Sequence, residues 1–149
     1  MLRNRSMPEA DVIPVLAYDN LREAADWLCR AFGFSPRLWI GDHRVQLQVG
    51  NGAIVLVRAV QPMATTKGEN IMVRVKDVDG HHERADAAGA EIIDVPVTFP
   101  YGERQYSCRD IEGHVWTFSQ SVADIDPSTW AEVPVTQSGR PSTGALARG

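Results

Sequence analysis

The sequence predicts an α+β fold made of two tandem βαβββ units. Three observations predict it. Two segments read as helices with an N-terminal cap and a closing glycine, and strand-like alternation follows each helix. A shift of 57 residues then places Asn20 on Asp77, so that the second unit repeats the order of the first. The chain has 149 residues, which is the size of one domain.

The first unit begins with an extended segment and continues into an amphipathic helix. Asn20 is the expected N-cap, Glu23 holds the capping-box position, and Gly33 is expected to end the helix in a left-handed conformation. Apolar residues recur at helical spacing between these two ends. Extended segments are expected at 12–17, 34–40, 43–49 and 53–59.

The second unit repeats this order. Either Asp77 or Asp79 is expected to cap a helix that runs to Ala88, with Gly89 closing it. The residues after Asp110 read as a turn between the last two strands. Extended segments are expected at 71–75, 91–95, 105–108 and 114–120.

Domain boundaries follow from composition. Residues 1–10 are expected to form a flexible arm, and residues 11–122 the folded domain, with units at about 11–60 and 69–122. Residues 123–149 form a C-terminal extension, which is rich in Ser, Gly, Pro and Thr from about 136 and is expected to be disordered there. Trp130 in this extension is expected to pack on the body or on a second subunit.

Charge and cysteine content exclude several function classes. The net charge is −4 and the isoelectric point is about 5.5, which argues against a nucleic-acid partner. Cys29 and Cys108 are too few for a disulfide framework and are expected to be unpaired. No 18-residue apolar run and no signal-peptide core are visible, so we expect a cytoplasmic protein without a membrane partner.

Two segments resemble a known family. Residues 20–34, NLREAADWLCRAFGF, look like the first helix of the vicinal oxygen chelate superfamily, which contains glyoxalase I, bleomycin-resistance proteins and extradiol dioxygenases. Residues 101–118, YGERQYSCRDIEGHVWTF, resemble its closing hairpin. The resemblance implies that each unit curls its strands into half of an open barrel with the helices outside and a cavity inside. It also implies that a second chain often completes the cavity, and we expect a homodimer.

The resemblance further implies four inward positions that hold a divalent ion in the metalloenzymes of the superfamily. In this sequence those positions carry Ile13, Val55, Asn70 and Thr117. Two of these side chains have no lone pair, and the other two are weak neutral ligands. We therefore expect no metal ion and no other cofactor.

Histidines offer no obvious replacement for that ligand set. His81, His82 and Glu83 are adjacent on a helix, point in different directions and are expected to face solvent. His114 follows the closing turn, where a turn hydrogen bond explains it as well as catalysis does. Trp116, on the opposite face of its strand from Thr117, is expected to lie in the core.

Candidate ligand-binding residues are polar side chains on predicted inward faces and aromatic side chains near the closing turn. They are Trp39, Gln46, Gln48, Asn70, Tyr101, Arg104, Tyr106 and Thr117. The aromatic members suit a planar ligand and Arg104 suits an anionic group. Alternatively these aromatic residues pack at a sheet edge, with Arg104 on a carboxylate such as Glu103 or Asp110.

Two functions from different classes remain open. The first is a bleomycin-resistance-like protein that binds a small planar or polar organic molecule in a dimer cavity without a metal. The second is a lyase or isomerase of the glyoxalase kind, either metal-dependent or using acid–base chemistry by Glu103, Tyr106 or His114. A scaffold with a vestigial cavity is a weaker third reading. The sequence names no ligand.

Overall fold

The two βαβββ units predicted from the sequence are confirmed. The computed structural model describes residues 2–60 and 69–136. The first unit contains β1 (Val15–Tyr18), α1 (Leu21–Phe32), β2 (Ser35–Ile40), β3 (Arg44–Val49) and β4 (Gly52–Arg58). The second contains β5 (Asn70–Arg74), α2 (Val78–Ala87), β6 (Glu91–Thr98), β7 (Glu103–Arg109) and β8 (Val115–Ser121). A short 3-10 helix, Pro127–Thr129, follows in the extension. The disorder expected from about 136 falls on 137–149, outside the described residues.

Each unit forms one mixed four-stranded sheet. The strand orders are β1-β4-β3-β2 and β5-β8-β7-β6, with β1 parallel to β4 and β5 parallel to β8. The remaining neighbours are antiparallel. The sheets do not close into a barrel within the described ranges, and this architecture is that of the glyoxalase fold.

The helix ends form where the capping residues predict them. The Asn20 side chain accepts a hydrogen bond from the backbone N–H of Glu23 (3.2 Å), and Gly33 closes α1 at φ 80°. Asp77, rather than Asp79, caps α2, because its carboxylate accepts from the backbone N–H of Gly80 (3.1 Å). In the part of the chain that the structure describes, no helix is long and apolar enough to cross a membrane.

A single hydrophobic core lies on the helix-covered faces of both sheets. The two helices contact each other, and the indole N–H of Trp27 in α1 donates to the carbonyl of Ala88 after α2 (2.8 Å). Phe32 at the end of α1 packs edge-on against Trp116 of β8, which is fully buried as predicted. Because side chains alternate along a strand, the residues between these core positions point to the uncovered faces of the sheets.

A buried carboxylate joins the two units. Asp110, at the turn between β7 and β8, accepts from the phenol of Tyr18 in β1 (2.5 Å) and from the indole of Trp116 (3.0 Å). It also accepts from the backbone N–H groups of Glu112 and His114 (both 3.0 Å). The turn hydrogen bond expected at His114 is thus present, and the same carboxylate ties the turn to the first unit.

The remainder of this turn also bonds to the first unit. The Glu112 carboxylate accepts from the backbone N–H groups of Asp19 (2.7 Å) and Asn20 (2.9 Å), where α1 begins. Negative charge is favourable at a helix N-terminus. His114 Nε2 donates to the carbonyl of Ala17 (2.9 Å). The Asp-x-Glu-Gly-His turn is therefore a clamp between the units.

Both cysteines are unpaired, as predicted. Cys29 is half-buried on α1, and Cys108 is buried on β7 in the core. Burial raises the pKa of the Cys108 thiol to about 12. The thiol is therefore neutral at physiological pH and behaves as a small apolar group.

Candidate functional site

The uncovered face of the second sheet forms a cavity of about 430 Å³. Its floor is polar and its walls are largely apolar, a combination typical of sites for small organic ligands. The lining residues are Asn70, Met72, Asp94, Val95, Val97, Phe99, Gln105, Tyr106, Ser107 and Thr117. Three of the predicted ligand-binding residues line it. Asn70 and Thr117 lie together on its floor, whereas Tyr106 borders the cavity but directs its ring to the opposite face of the sheet.

A directed chain of hydrogen bonds crosses the floor. The Thr117 hydroxyl donates to Asn70 Oδ1 (2.9 Å), so the Ser107 hydroxyl must donate to Thr117 across 2.9 Å. With its oxygen engaged, Asn70 presents its amide N–H groups, and no acceptor for them lies among the described residues. Because hydrogen bonds in such chains polarise one another, Asn70 is a strong donor for a ligand acceptor.

A second chain runs beside the first. Tyr101 donates to Gln105 Oε1 (3.3 Å), Gln105 donates to Ser119 Oγ (3.1 Å), and Ser119 donates to the Glu103 carboxylate (2.6 Å). Hydrogen bonds from Ser119 and Ser121 lower the pKa of Glu103. The Glu103 carboxylate therefore stays ionised. It acts as the hydrogen-bond acceptor at the end of this chain and not as a proton donor.

The uncovered face of the first sheet is occupied by the N-terminal segment. Gln46, which is buried, donates through Nε2 to the carbonyl of Ser6 (2.9 Å) and accepts from the guanidinium of Arg37. Arg37 also donates to the carbonyl of Arg5 (2.9 Å). Gln48, predicted to lie beside Gln46, is exposed and donates to the carbonyl of Gly50 in the next turn (2.9 Å). Neither glutamine lines the cavity of the second sheet.

Trp39 and Tyr106 lie on the helix-covered faces, away from the polar floor. Trp39 pairs with Val45 across the strands and packs against the core, with the guanidinium of Arg22 4.4 Å from its ring centre. The Tyr106 ring is buried and stacks on Phe118. The rings of Trp39 and Tyr106 therefore do not form a shared ligand-binding wall with Tyr101.

Arg104 also points to the helix side of its sheet. It donates to both carboxylate oxygens of Asp79 at the start of α2 (3.0 to 3.2 Å) and to the Thr98 hydroxyl (3.1 Å). Its partner is therefore Asp79, and not Glu103 or Asp110 as the packing alternative expected. The only charged side chain that lines the cavity in the described ranges is Asp94.

His81 corrects the expectation that this helix surface faces solvent. Its Nε2 donates to the carbonyl of Phe32 (3.1 Å), so its Nδ1 accepts from the hydroxyl of Tyr106 (2.5 Å). Burial lowers the pKa of His81 and favours its neutral form. The histidine fastens α2 to both β7 and the end of α1.

A larger groove of about 760 Å³ runs between the units beside β5. It is lined by Val12, Pro14, residues 49–54 and residues 71–76, which include most of β5. Met72 lines both the groove and the cavity, so the two adjoin. We place the candidate site in the smaller cavity because Ser107, Thr117 and Asn70, which form the first hydrogen-bond chain, all line it.

The side chains do not fit a divalent metal. Among residues 2–60 and 69–136, no three His, Cys, Asp or Glu side chains are grouped closely enough to hold an ion. Of the four positions that the resemblance implied, Val55 and Ile13 offer no donor atom. Asn70 and Thr117 are bonded to each other, and both are neutral oxygen ligands, which transition metals bind poorly.

Comparison with known proteins establishes the family. The model of the Glyoxalase/Bleomycin resistance protein/Dioxygenase superfamily matches residues 12–118. The chain belongs to this superfamily. No curated protein matches the chain.

Several solved structures are similar to this chain in fold. TioX from Micromonospora sp. ML1 is 36% identical, with a TM-score of 0.64, over 74% of this chain and 97% of that one. A lactoylglutathione lyase from Agrobacterium tumefaciens is 20% identical, with a TM-score of 0.60, over 76% and 94%. A glyoxalase-related enzyme from Fulvimarina pelagi is 17% identical, with a TM-score of 0.62, over 75% and 88%. The last two are similar in fold alone.

Several residues that line the cavity were not among the predicted ligand-binding residues. Ser107 and Gln105 could have been found from strand alternation, since they lie on the face opposite Cys108. Phe99 lies just beyond β6, and nothing in its local sequence shows that it lines the cavity.

Proposed function

We propose that this superfamily member binds a small organic molecule in the cavity of the second sheet and does so without a metal ion. One observation carries the proposal: the chain from Ser107 through Thr117 to Asn70 ends in amide N–H groups that have no acceptor among the described residues, on the floor of a cavity with largely apolar walls. Such a floor orients a ligand through its acceptor, while the walls contribute affinity by burial. A metal-free site is supported by the donor set, which suits hydrogen bonding better than ion coordination.

We further propose that the protein works as a homodimer in the cytoplasm. The cavity is open at its edge strand β5, and a second copy would enclose a ligand there. Two unpaired thiols fit the reducing environment of that compartment.

The groups named for acid–base chemistry give the enzyme alternative little support. Tyr106 directs its hydroxyl to His81 on the helix side, and His114 is buried in the clamp between the units. Glu103 is engaged by Ser119. None of the three presents a free proton donor or base to the floor of the cavity.

The binding site is tested with Asn70→Ala and a matched control, Asn4→Ala, in the exposed N-terminal segment. Compounds that bind native protein are first found by ligand-observed NMR with a library of neutral aromatic fragments bearing a carbonyl group. The loss of one hydrogen bond corresponds to about 0.5–1.5 kcal/mol, so Asn70→Ala should weaken binding roughly 2- to 12-fold. Asn4→Ala should bind like native protein. Equal affinities for all three proteins would contradict the proposed site.

The metal-free claim has a separate test. Native protein is titrated with nickel and with zinc in a calorimeter, and we expect no stoichiometric binding at submicromolar affinity. An ion bound one to one at that affinity would overturn the metal-free claim and favour the lyase or isomerase alternative.

A further inference from the structure

Three aromatic rings form a ladder at the rim of the cavity. Phe99 and Tyr101 are stacked, with ring centres 5.4 Å apart and an interplanar angle of 6°. Trp130, from the C-terminal extension, packs on Tyr101 at 5.0 Å and 51°. Of the three, Phe99 lines the cavity, and it remains about one-third exposed. We call these three residues the aromatic ladder.

The backbone on both sides holds the ladder in place. Phe99 donates its N–H to the carbonyl of Glu103 (2.8 Å) and accepts from the N–H of Gly102 (3.0 Å), which closes the turn between β6 and β7. The carbonyl of Gly102 in turn accepts from the N–H of Val122, the residue before the extension (2.8 Å). The Phe99 ring is thus positioned before any ligand arrives, which lowers the entropy cost of binding.

The Trp130 side of the ladder is also ordered by local bonds. The Asp126 carboxylate accepts from the backbone N–H of Ser128 (3.0 Å) and caps the 3-10 helix that precedes Trp130. The N–H of Trp130 points to the carbonyl of Pro127 (3.4 Å). The extension therefore places the Trp130 indole against the Tyr101 ring. Tyr101 thus lies between Trp130 and Phe99.

We propose that Phe99 is the stacking surface of the cavity and that it selects ligands with a planar aromatic ring. Trp130 is a positioning residue that supports Phe99 through Tyr101. This inference rests on the proposed function and narrows it. Stacking on a fixed ring suits a flat ligand, while Asn70 on the floor supplies a donor to an acceptor on that ligand.

Charge narrows the ligand class further. Asp94 carries the only charged side chain among the described residues that line the cavity, and Arg104 is held by Asp79 on the other face of the sheet. Arg74, on the same face of β5 as Asn70 and Met72, lines the adjoining groove and not the cavity. An anionic ligand would therefore meet a like charge and no cation from the cavity lining. The class that fits is a neutral or cationic planar aromatic compound with a carbonyl or ring-nitrogen acceptor.

Three probes of similar size test this class on native protein. They are 2-naphthamide, which is planar and neutral; its saturated counterpart decahydro-2-naphthamide; and 2-naphthoate, which is planar and anionic. The loss of stacking and the repulsion of a negative charge should each weaken binding roughly 2- to 12-fold. We therefore expect 2-naphthamide to bind tighter than both the saturated amide and 2-naphthoate by that factor. Its ring currents should shift the methyl NMR signals of Met72, Val95 and Val97, a readout that needs no variant.

Variants then assign the selectivity to the ladder. Phe99→Leu should remove most of the preference for 2-naphthamide over the saturated amide and leave the affinity for the saturated amide nearly unchanged. Trp130→Ala should reduce the same preference, and Trp130→Phe should restore it, which a general loss of stability would not do. Ile40→Ala, an exposed apolar residue on the first sheet, is the control and should keep the native preference.

The outcomes separate this inference from the proposed function. If both amides bind native protein equally and Asn70→Ala weakens both, the site stands and the stacking inference is overturned. If 2-naphthamide shifts no methyl signal of the cavity at millimolar concentration, the stacking inference is also overturned. One-to-one nickel or zinc binding overturns the metal-free function whichever amide is preferred.

Discussion

At the scale of single residues, His81 is held at both of its ring nitrogens. Tyr106 of β7 and the Phe32 carbonyl at the end of α1 engage its two ring nitrogens, and its ring packs 4.0 Å from that of Phe118. Burial and, to a lesser degree, the nearby Arg84 lower its pKa. Protonation would place a charge in this packed position, so the folded state resists it.

The free energy of unfolding should therefore fall as the pH drops below about 6.5, the usual pKa of histidine in an unfolded chain. In that range the unfolded chain binds a proton that the folded chain does not yet bind, and the difference disappears below the lowered pKa. Urea unfolding at pH 7.5, 6.5 and 5.5 measures this slope. His81→Gln should flatten it, whereas His43→Gln, an exposed histidine, should not. Equal slopes for native protein and His81→Gln would contradict the assignment.

The sequence predicted site residues correctly where the alternation of side chains along a strand was used. Asn70 and Thr117 were predicted to face inward, and they lie together on the cavity floor, because one residue in two along β5 and β8 points away from the helices. Tyr106 was selected for its aromatic character, although Cys108, two residues along, is in the core. The Phe99–Tyr101 stack depends on a turn and on the extension, so local patterns could not reveal it.

At the scale of elements, the turn between β6 and β7 connects the cavity to the C-terminal extension. Gly102 has φ +87°, a conformation that other residues rarely adopt. A Cβ at this position would overlap the backbone carbonyl of Ala123 and lie 3.0 Å from the Ile125 side chain. The extension can approach this turn closely because residue 102 has no side chain.

Gly102→Ala should destabilise the protein by roughly 1–3 kcal/mol more than Gly50→Ala. Both glycines have positive φ, but an added Cβ at Gly50 meets no atom within 4 Å among the described residues. The difference between the two variants therefore isolates the clash with the extension. Chemical denaturation of the two variants measures this difference in unfolding free energy. Equal losses of stability would show that the extension does not dock there.

The order of elements was more predictable than the contacts between them. The helix ends depend on single local features: a side-chain hydrogen bond at Asn20 and at Asp77, and a left-handed conformation at Gly33. Such features can be predicted from a few neighbouring residues. The contacts of His81 with Phe32 and of Asp110 with Tyr18 span 49 and 92 residues. No periodicity within a unit encodes them.

At the scale of the whole molecule, Asp110 should hold the two units together. Removing the hydroxyl in Tyr18→Phe deprives the buried carboxylate of its shortest bond and should cost about 1–3 kcal/mol of unfolding free energy. Tyr101→Phe, whose hydroxyl makes a longer bond of 3.3 Å, should cost about 0.5 kcal/mol or less. Denaturant titrations of both variants make the comparison, and a cost for Tyr18→Phe as small as that for Tyr101→Phe would count against the clamp.

The edges of the two sheets lead to the last prediction, a homodimer. β1 and β5 each stand at the end of a sheet, and they expose Val15 (56%) and Met72 (60%). Unpaired edges that carry apolar side chains favour association, and pairing about a two-fold axis covers both edges at once. Sedimentation at micromolar concentration should give twice the chain mass of 16.4 kDa.

Val15→Lys should shift the protein towards monomer, because it places a charge on the edge of the first sheet. Val133 is also an exposed valine but lies in the extension, so Val133→Lys should leave the dimer intact. A native monomer at this concentration would contradict the prediction, and the cavity would then have to bind its ligand with β5 open to solvent.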